Sequence, residues 1–95
     1  MSPLEPSTTM PTISSFYGIL IKMYFQDHAP PHFHALYAGE EALIDIRTLR
    51  VLEGQLPRRA HALVMEWGRE HRMELMENWQ RCEMRQAPQK IRPLP

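Results

Sequence analysis

Near Leu56 the spacing of apolar residues changes, and that change constrains the fold more than any other feature of the chain. Before it, side chains suited to a sheet alternate. In Glu41 to Arg47, Ala42, Ile44 and Ile46 interleave with Glu41, Leu43, Asp45 and Arg47, the two-residue period of a strand with one solvated face. After it, Ala60, Leu63, Val64, Trp67, His71, Leu75 and Trp79 recur at three- and four-residue intervals, the period of an amphipathic helix. Strands followed by helix predict an α+β domain in which the helical stripe packs on one face of the sheet.

The strand half reads as follows. Phe16 to Phe25 is rich in β-branched and aromatic residues and predicts one long strand, with Gly18 at a bulge or a close backbone contact. Gln26 to Pro31 is a turn, because two consecutive prolines cannot donate to a ladder. His32 to Ala38 is a second strand, Gly39-Glu40 a tight turn, Glu41 to Arg47 a third strand, and Val51 to Glu53 a short fourth. Short connections favour an antiparallel meander of three or four strands. From Pro57 the chain turns helical, as one helix or as two broken near Gly68 or His71, ending before Pro88. Trp67 and Trp79 are the expected core anchors, and Cys82 a small apolar filler.

Ninety-five residues fit one core. Six of the nine prolines (Pro3, Pro6, Pro11, Pro88, Pro93 and Pro95) lie towards the ends. The expectation is an N-terminal extension over residues 1–9, a domain over 10–87 and an extended, mobile tail over 88–95. One cysteine allows no intrachain disulfide, no apolar stretch reaches membrane-spanning length and no signal peptide is visible, so the expected location is the cytoplasm. Net charge is zero but uneven. Residues 1–46 hold Lys22 against five carboxylates, while Arg47, Arg50, Arg58 and Arg59 face only Glu53 in residues 47–59. Long-range attraction to nucleic acid is therefore absent, although a local arginine pair can grip a phosphate.

Chemistry is concentrated in Asp27-His28-Ala29-Pro30-Pro31-His32-Phe33-His34. His32 and His34 are two apart on a strand and so share a face, and His28 lies across a rigid turn. Three readings stand open. His28, His32 and His34 form a metal site for an ion such as zinc or nickel. Or the histidines exchange protons while Arg58 and Arg59 steady a phosphate. Or the segment shapes a turn and an interface. A cupin is excluded, since five residues separate His34 from Glu40 and the chain is too short for a jelly roll. Arg58 and Arg59 at a helix start oppose the macrodipole, and a solvated pair is the plain alternative. No glycine-rich phosphate loop, Ser-His-Asp set or Cys-x-x-Cys pair is present, which removes kinase, serine hydrolase and dithiol redox chemistry.

Several segments together resemble the small bacterial family called domain of unknown function 4160. They are Met10 to Ser14, Phe16 to Ile19, Met23 to Phe25, Asp27-His28 to Ala35, Ile44 to Arg47, Glu66-Trp67 and Glu77 to Trp79. The resemblance covers about residues 10–94, and its Asp-His-x-Pro-Pro-His-Phe-His-Ala core is specific. It implies one half of a two-gene cassette beside a domain of unknown function 2442 protein, an arrangement read as a candidate toxin–antitoxin module. It carries no established reaction and no catalytic residue. The expectation is a component acting through that protein partner. If it is the toxin, RNA cleavage by His28, His32 or His34 is the expected chemistry, with Arg58, Arg59 or Arg47 on the phosphate. The alternative is a non-enzymatic antitoxin-like or regulatory binder whose histidine segment is an interface or metal clasp, and self-association is left open.

Overall fold

The structure is a computed structural model that describes residues 11–95. Among these residues the chain forms β1 (Thr12–Phe16), β2 (Ile19–Lys22), β3 (His32–Tyr37), β4 (Glu40–Asp45), β5 (Val51–Gly54), α1 (Arg58–Glu70) and α2 (Arg72–Glu83). The strands lie in one antiparallel sheet in chain order, β1-β2-β3-β4-β5. The α+β class and the meander stand, with five strands rather than three or four. The expected extension over residues 1–9 lies outside the described residues.

The extra strand comes from Tyr17-Gly18. Where one long strand with a bulge was expected, both residues have positive φ (52° and 79°) and the chain reverses in two residues. Ala38-Gly39 repeats this geometry with φ 50° and 82°. Two-residue turns of that hand match the right-handed twist of the strands they join, and glycine at the second position makes them inexpensive. The two turns lie at the same end of the sheet, where Leu20 pairs with Leu36 and a Cβ on Gly18 would meet the Tyr37 ring at 3.4 Å.

Alternation then sorts the faces. Ile19, Ile21, Phe33, Ala35, Ala42 and Ile44 are fully buried. Trp67 of α1 packs edge-on to Phe33 with ring centroids 5.9 Å apart. Gly68 lets α1 sit close, since a Cβ there would come within 3.0 Å of Leu49. The helical run breaks at His71, whose amide is shared between the Trp67 and Gly68 carbonyls at 3.1 and 3.2 Å. Trp67 is fully buried and Trp79 is 8% exposed, as the periodicity required.

The C-terminal segment is extended, and it is docked on the domain. Ile91 and Leu94 are buried in the core, the Ile91 amide donates to the Ile13 carbonyl at 2.8 Å, and the Trp67 indole donates to the Arg92 carbonyl at 2.8 Å. Asn78 exchanges two hydrogen bonds with the Gln89 backbone, each 2.8 Å. Proline enrichment was the basis for expecting a free tail. Proline favours extended chain, and extended chain docks along β1 as readily as it hangs in water.

Candidate functional site

His32 opens β3 opposite Asp45, and His34 lies opposite Leu43. Phe33 between them faces the helices, so both imidazoles project to the other face, as the spacing predicted. They are nonetheless enclosed: the side chains are 4% and 6% exposed. Cover comes from the chain after β2, which returns across that face, and from α2. The Tyr24 ring meets His34 edge-on at 4.6 Å, and the Trp79 ring lies 5.2 Å from His32.

The third member of the cluster is Asp27. Its Oδ2 lies 2.9 Å from His32 Nε2 and 3.4 Å from His34 Nε2. Both Nδ1 atoms are also engaged, His32 with the Pro30 carbonyl and His34 with Glu41 Oε2, each at 2.7 Å. Ligand atoms from Asp27, His32 and His34 all fall within 4.8 Å of one another, so among the described residues this trio is the set able to hold a metal ion. Burial on its own raises the Asp27 carboxyl. The His28 amide, hydrogen bonds from the His34 and His32 rings and the charge of His32 outweigh it, holding the group below its ordinary 3.8.

His28 does not converge with the other two. Its side chain is 92% exposed, and Nδ1 approaches the other Asp27 oxygen, Oδ1, at 3.0 Å. Its backbone amide also donates to Oδ1 at 2.9 Å, so the contribution of His28 is to orient Asp27. The Ala29-Pro30 bond is cis, and Pro31 carries the chain into β3 with its carbonyl accepting from the Ile46 amide.

Arg58 and Arg59 do not join the site. Both are exposed, and no hydrogen bond or ion pair links them to the imidazoles among the described residues. The register explains why. β5 runs from Val51 opposite Ile44 to Gly54 opposite Ala42, away from the His32–Asp45 end. α1 then returns so that Gly68, ten residues after Arg58, lies over Phe33. At 1.5 Å per residue Arg58 is about 15 Å back along the helix axis. Arg47 is likewise exposed, in the turn after β4 that Asp45 closes by accepting from the Arg47 and Thr48 amides.

Asp27 was visible in sequence as a neighbour of the histidines but was not assigned to the set. Glu41 was missed. Its signal is register: a two-residue turn at Ala38-Gly39 pairs Leu36 with Glu41, which sets the carboxylate diagonal to His34 on the same face. A concavity of about 350 Å³ lies at the turn end, lined by Leu20, Leu36, Tyr37, Glu40 and Glu41 among others, so that Glu41 borders both it and the histidine cluster. Its lining includes no histidine, cysteine or arginine.

Residues 18–80 match the family described as domain of unknown function, DUF4160. The chain belongs to this family. The match runs from the first turn through β2, β3, β4, β5 and α1 into α2, and contains the whole Asp27–His34 segment. No curated protein and no solved structure matches the chain. Among the described residues no helix is long and apolar enough to cross a membrane.

Proposed function

We propose that the chain is the binding component of a bacterial toxin–antitoxin-like pair, acting in the cytoplasm through a protein partner rather than by cutting RNA. The observation that carries this reading is the contrast between β5 and the imidazoles. Every residue of β5 is exposed, with Val51 at 39% and Leu52 at 42%, and it is the last strand of the sheet. At the opposite edge, β1 receives the Ile91 amide and is covered. A bare edge flanked by apolar side chains suits the addition of a partner strand, with main-chain hydrogen bonds giving affinity and side chains giving specificity.

The RNA-cleaving reading loses support from the same geometry. General acid–base work on a phosphodiester requires two rings to flank an accessible space with a cation in reach. His32 and His34 are enclosed by Tyr24 and Trp79, and Arg58 and Arg59 lie far along α1.

The test is co-expression with the neighbouring domain of unknown function 2442 protein, the partner that family resemblance suggests. Size-exclusion chromatography should give a complex that Leu52→Glu or Val51→Glu dissolves without loss of folding. A complex indifferent to both variants overturns the edge reading. Growth inhibition that depends on His34 but not on complex formation would restore catalysis. The chain run alone reports whether a second copy, with Arg50 set against Glu53 across a two-fold, competes for the same edge.

A further inference from the structure

We infer that Asp27, His32 and His34 hold one divalent transition-metal ion, zinc or nickel, on the face of the sheet away from α1. The inference is independent of the partner reading and rests on counting protons. The Pro30 carbonyl has none to give, so the His32 Nδ1 that meets it at 2.7 Å is the donor. Without a second proton that ring presents a lone pair at Nε2, 2.9 Å from Asp27 Oδ2. The same holds for His34. Its Nδ1 donates to the Glu41 carboxylate at 2.7 Å, and its Nε2 faces the same Asp27 oxygen at 3.4 Å.

Three acceptors thus converge on one small volume, and a positive charge at their centre resolves the conflict. Protons satisfy all three when both enclosed rings are charged side by side, whereas a single metal ion does so with both rings neutral. Distances agree. Tetrahedral bonds of about 2.0–2.1 Å place ligand atoms roughly 3.3 Å apart. The two Asp27 Oδ2 separations, 2.9 and 3.4 Å, bracket that value. Two imidazoles and a carboxylate are ordinary ligands for such ions, and leave a fourth position for water.

The outer contacts have the form expected around such an ion. Each ligating imidazole donates its remaining N–H to a fixed acceptor, one a backbone carbonyl and the other a carboxylate, which sets ring orientation and tautomer. Asp27 is fixed in turn by the His28 amide on its second oxygen. Tyr24 and Trp79 exclude water from the flanks, and the partly exposed edges of Asp27 and Glu41 give a path for entry.

The full chain, stripped with a chelator and then titrated with zinc, nickel or cobalt(II) chloride, tests the assignment. The expected result is one equivalent per chain, a visible ligand-field spectrum with cobalt, quenching of tryptophan fluorescence with nickel, and a higher melting temperature. Asp27→Asn, which keeps the shape of the side chain, should abolish stoichiometric uptake. Glu41→Gln alters a half-exposed outer contact and should weaken uptake by about 10–100-fold. Arg58→Ala, at an exposed position remote from the cluster, should leave affinity unchanged. Absence of uptake by the folded wild-type chain overturns the proposal and leaves a cluster held by protons alone. Uptake that survives Asp27→Asn, or that is lost in Arg58→Ala, also overturns it by placing the ion elsewhere.

Discussion

Glu41 reaches His34 along a diagonal: the residue directly opposite His34 on β4 is Leu43, yet the Glu41 carboxylate accepts from His34 Nδ1 at 2.7 Å. The contact exists because Ala38-Gly39 reverses the chain in two residues. A turn longer by one residue would shift the register and send Glu41 to the helix face.

Gly54 and Gly39 both have positive φ but should respond differently to alanine. A Cβ on Gly54 would sit 2.0 Å from the Glu41 carbonyl oxygen, whereas nothing lies within 4 Å of one on Gly39. Gly39→Ala should cost about 1 kcal/mol for the backbone alone, and Gly54→Ala clearly more. Urea midpoints of the two variants, compared at equal slope, check the difference.

The docked C-terminal segment should contribute to stability. Deleting residues 89–95 removes buried Ile91 and Leu94 and the partners of Trp67 and Asn78. Burial of each aliphatic side chain is worth about 1.5–3 kcal/mol, so the loss should reach at least 3 kcal/mol by order of magnitude. For a domain of this size that lowers Tm by roughly 10 °C or more. A melting curve within a few degrees of wild type would show that the contacts are dispensable.

Acid should weaken the chelator-treated protein through Asp27. Because its carboxyl lies below 3.8 in the folded state, the chain gains stability from it above that value. The gain disappears as pH falls from about 4 through the lower folded value. Asp27→Asn should therefore flatten the acid limb of Tm against pH in that window, with little change in slope near neutrality.

Cys82 should be inert to thiol reagents while the protein is folded. Burial pushes its thiol up to about 11, with Arg81 opposing the rise and Glu83 adding to it. The thiolate is the reactive form, and the side chain is 1% exposed. Reaction with a disulfide reagent near pH 8 should be slow in buffer and rapid in urea. Rapid stoichiometric labelling of the folded chain would contradict the buried placement.

How much of this was legible in sequence depended on which physical signal carried it. Periodicity gave the class, the buried Ala42-Ile44-Ile46 face and both tryptophans, because it records burial directly. It failed at Tyr17-Gly18, where apolar residues continue through a turn and nothing but backbone sterics marks the reversal. It gave the shared face of His32 and His34. It did not give the outward turn of His28, whose direction is set by the loop, nor Glu41, whose role needs the pairing partner of its strand. Arg58 and Arg59 looked available because charge pattern says nothing about distance. The docked tail escaped notice because Ile91 and Leu94 stand singly among prolines and polar residues, with no period to read.

Strands that neighbour one another in the sheet also follow one another along the chain, so each pairing in the meander closes only a short loop. The Ile91-to-Ile13 hydrogen bond joins residues 78 apart (91 − 13). Loop-closure entropy sets an order on such contacts, near ones early and far ones late. The sheet therefore has the makings of a fast, locally nucleated folder whose last event is the seating of its C-terminal strap. Native-state hydrogen exchange should resolve the two: Ile91 and the Trp67 indole exchanging through a cheap sub-global opening, while Phe33 and Ile44 exchange only when the whole molecule unfolds.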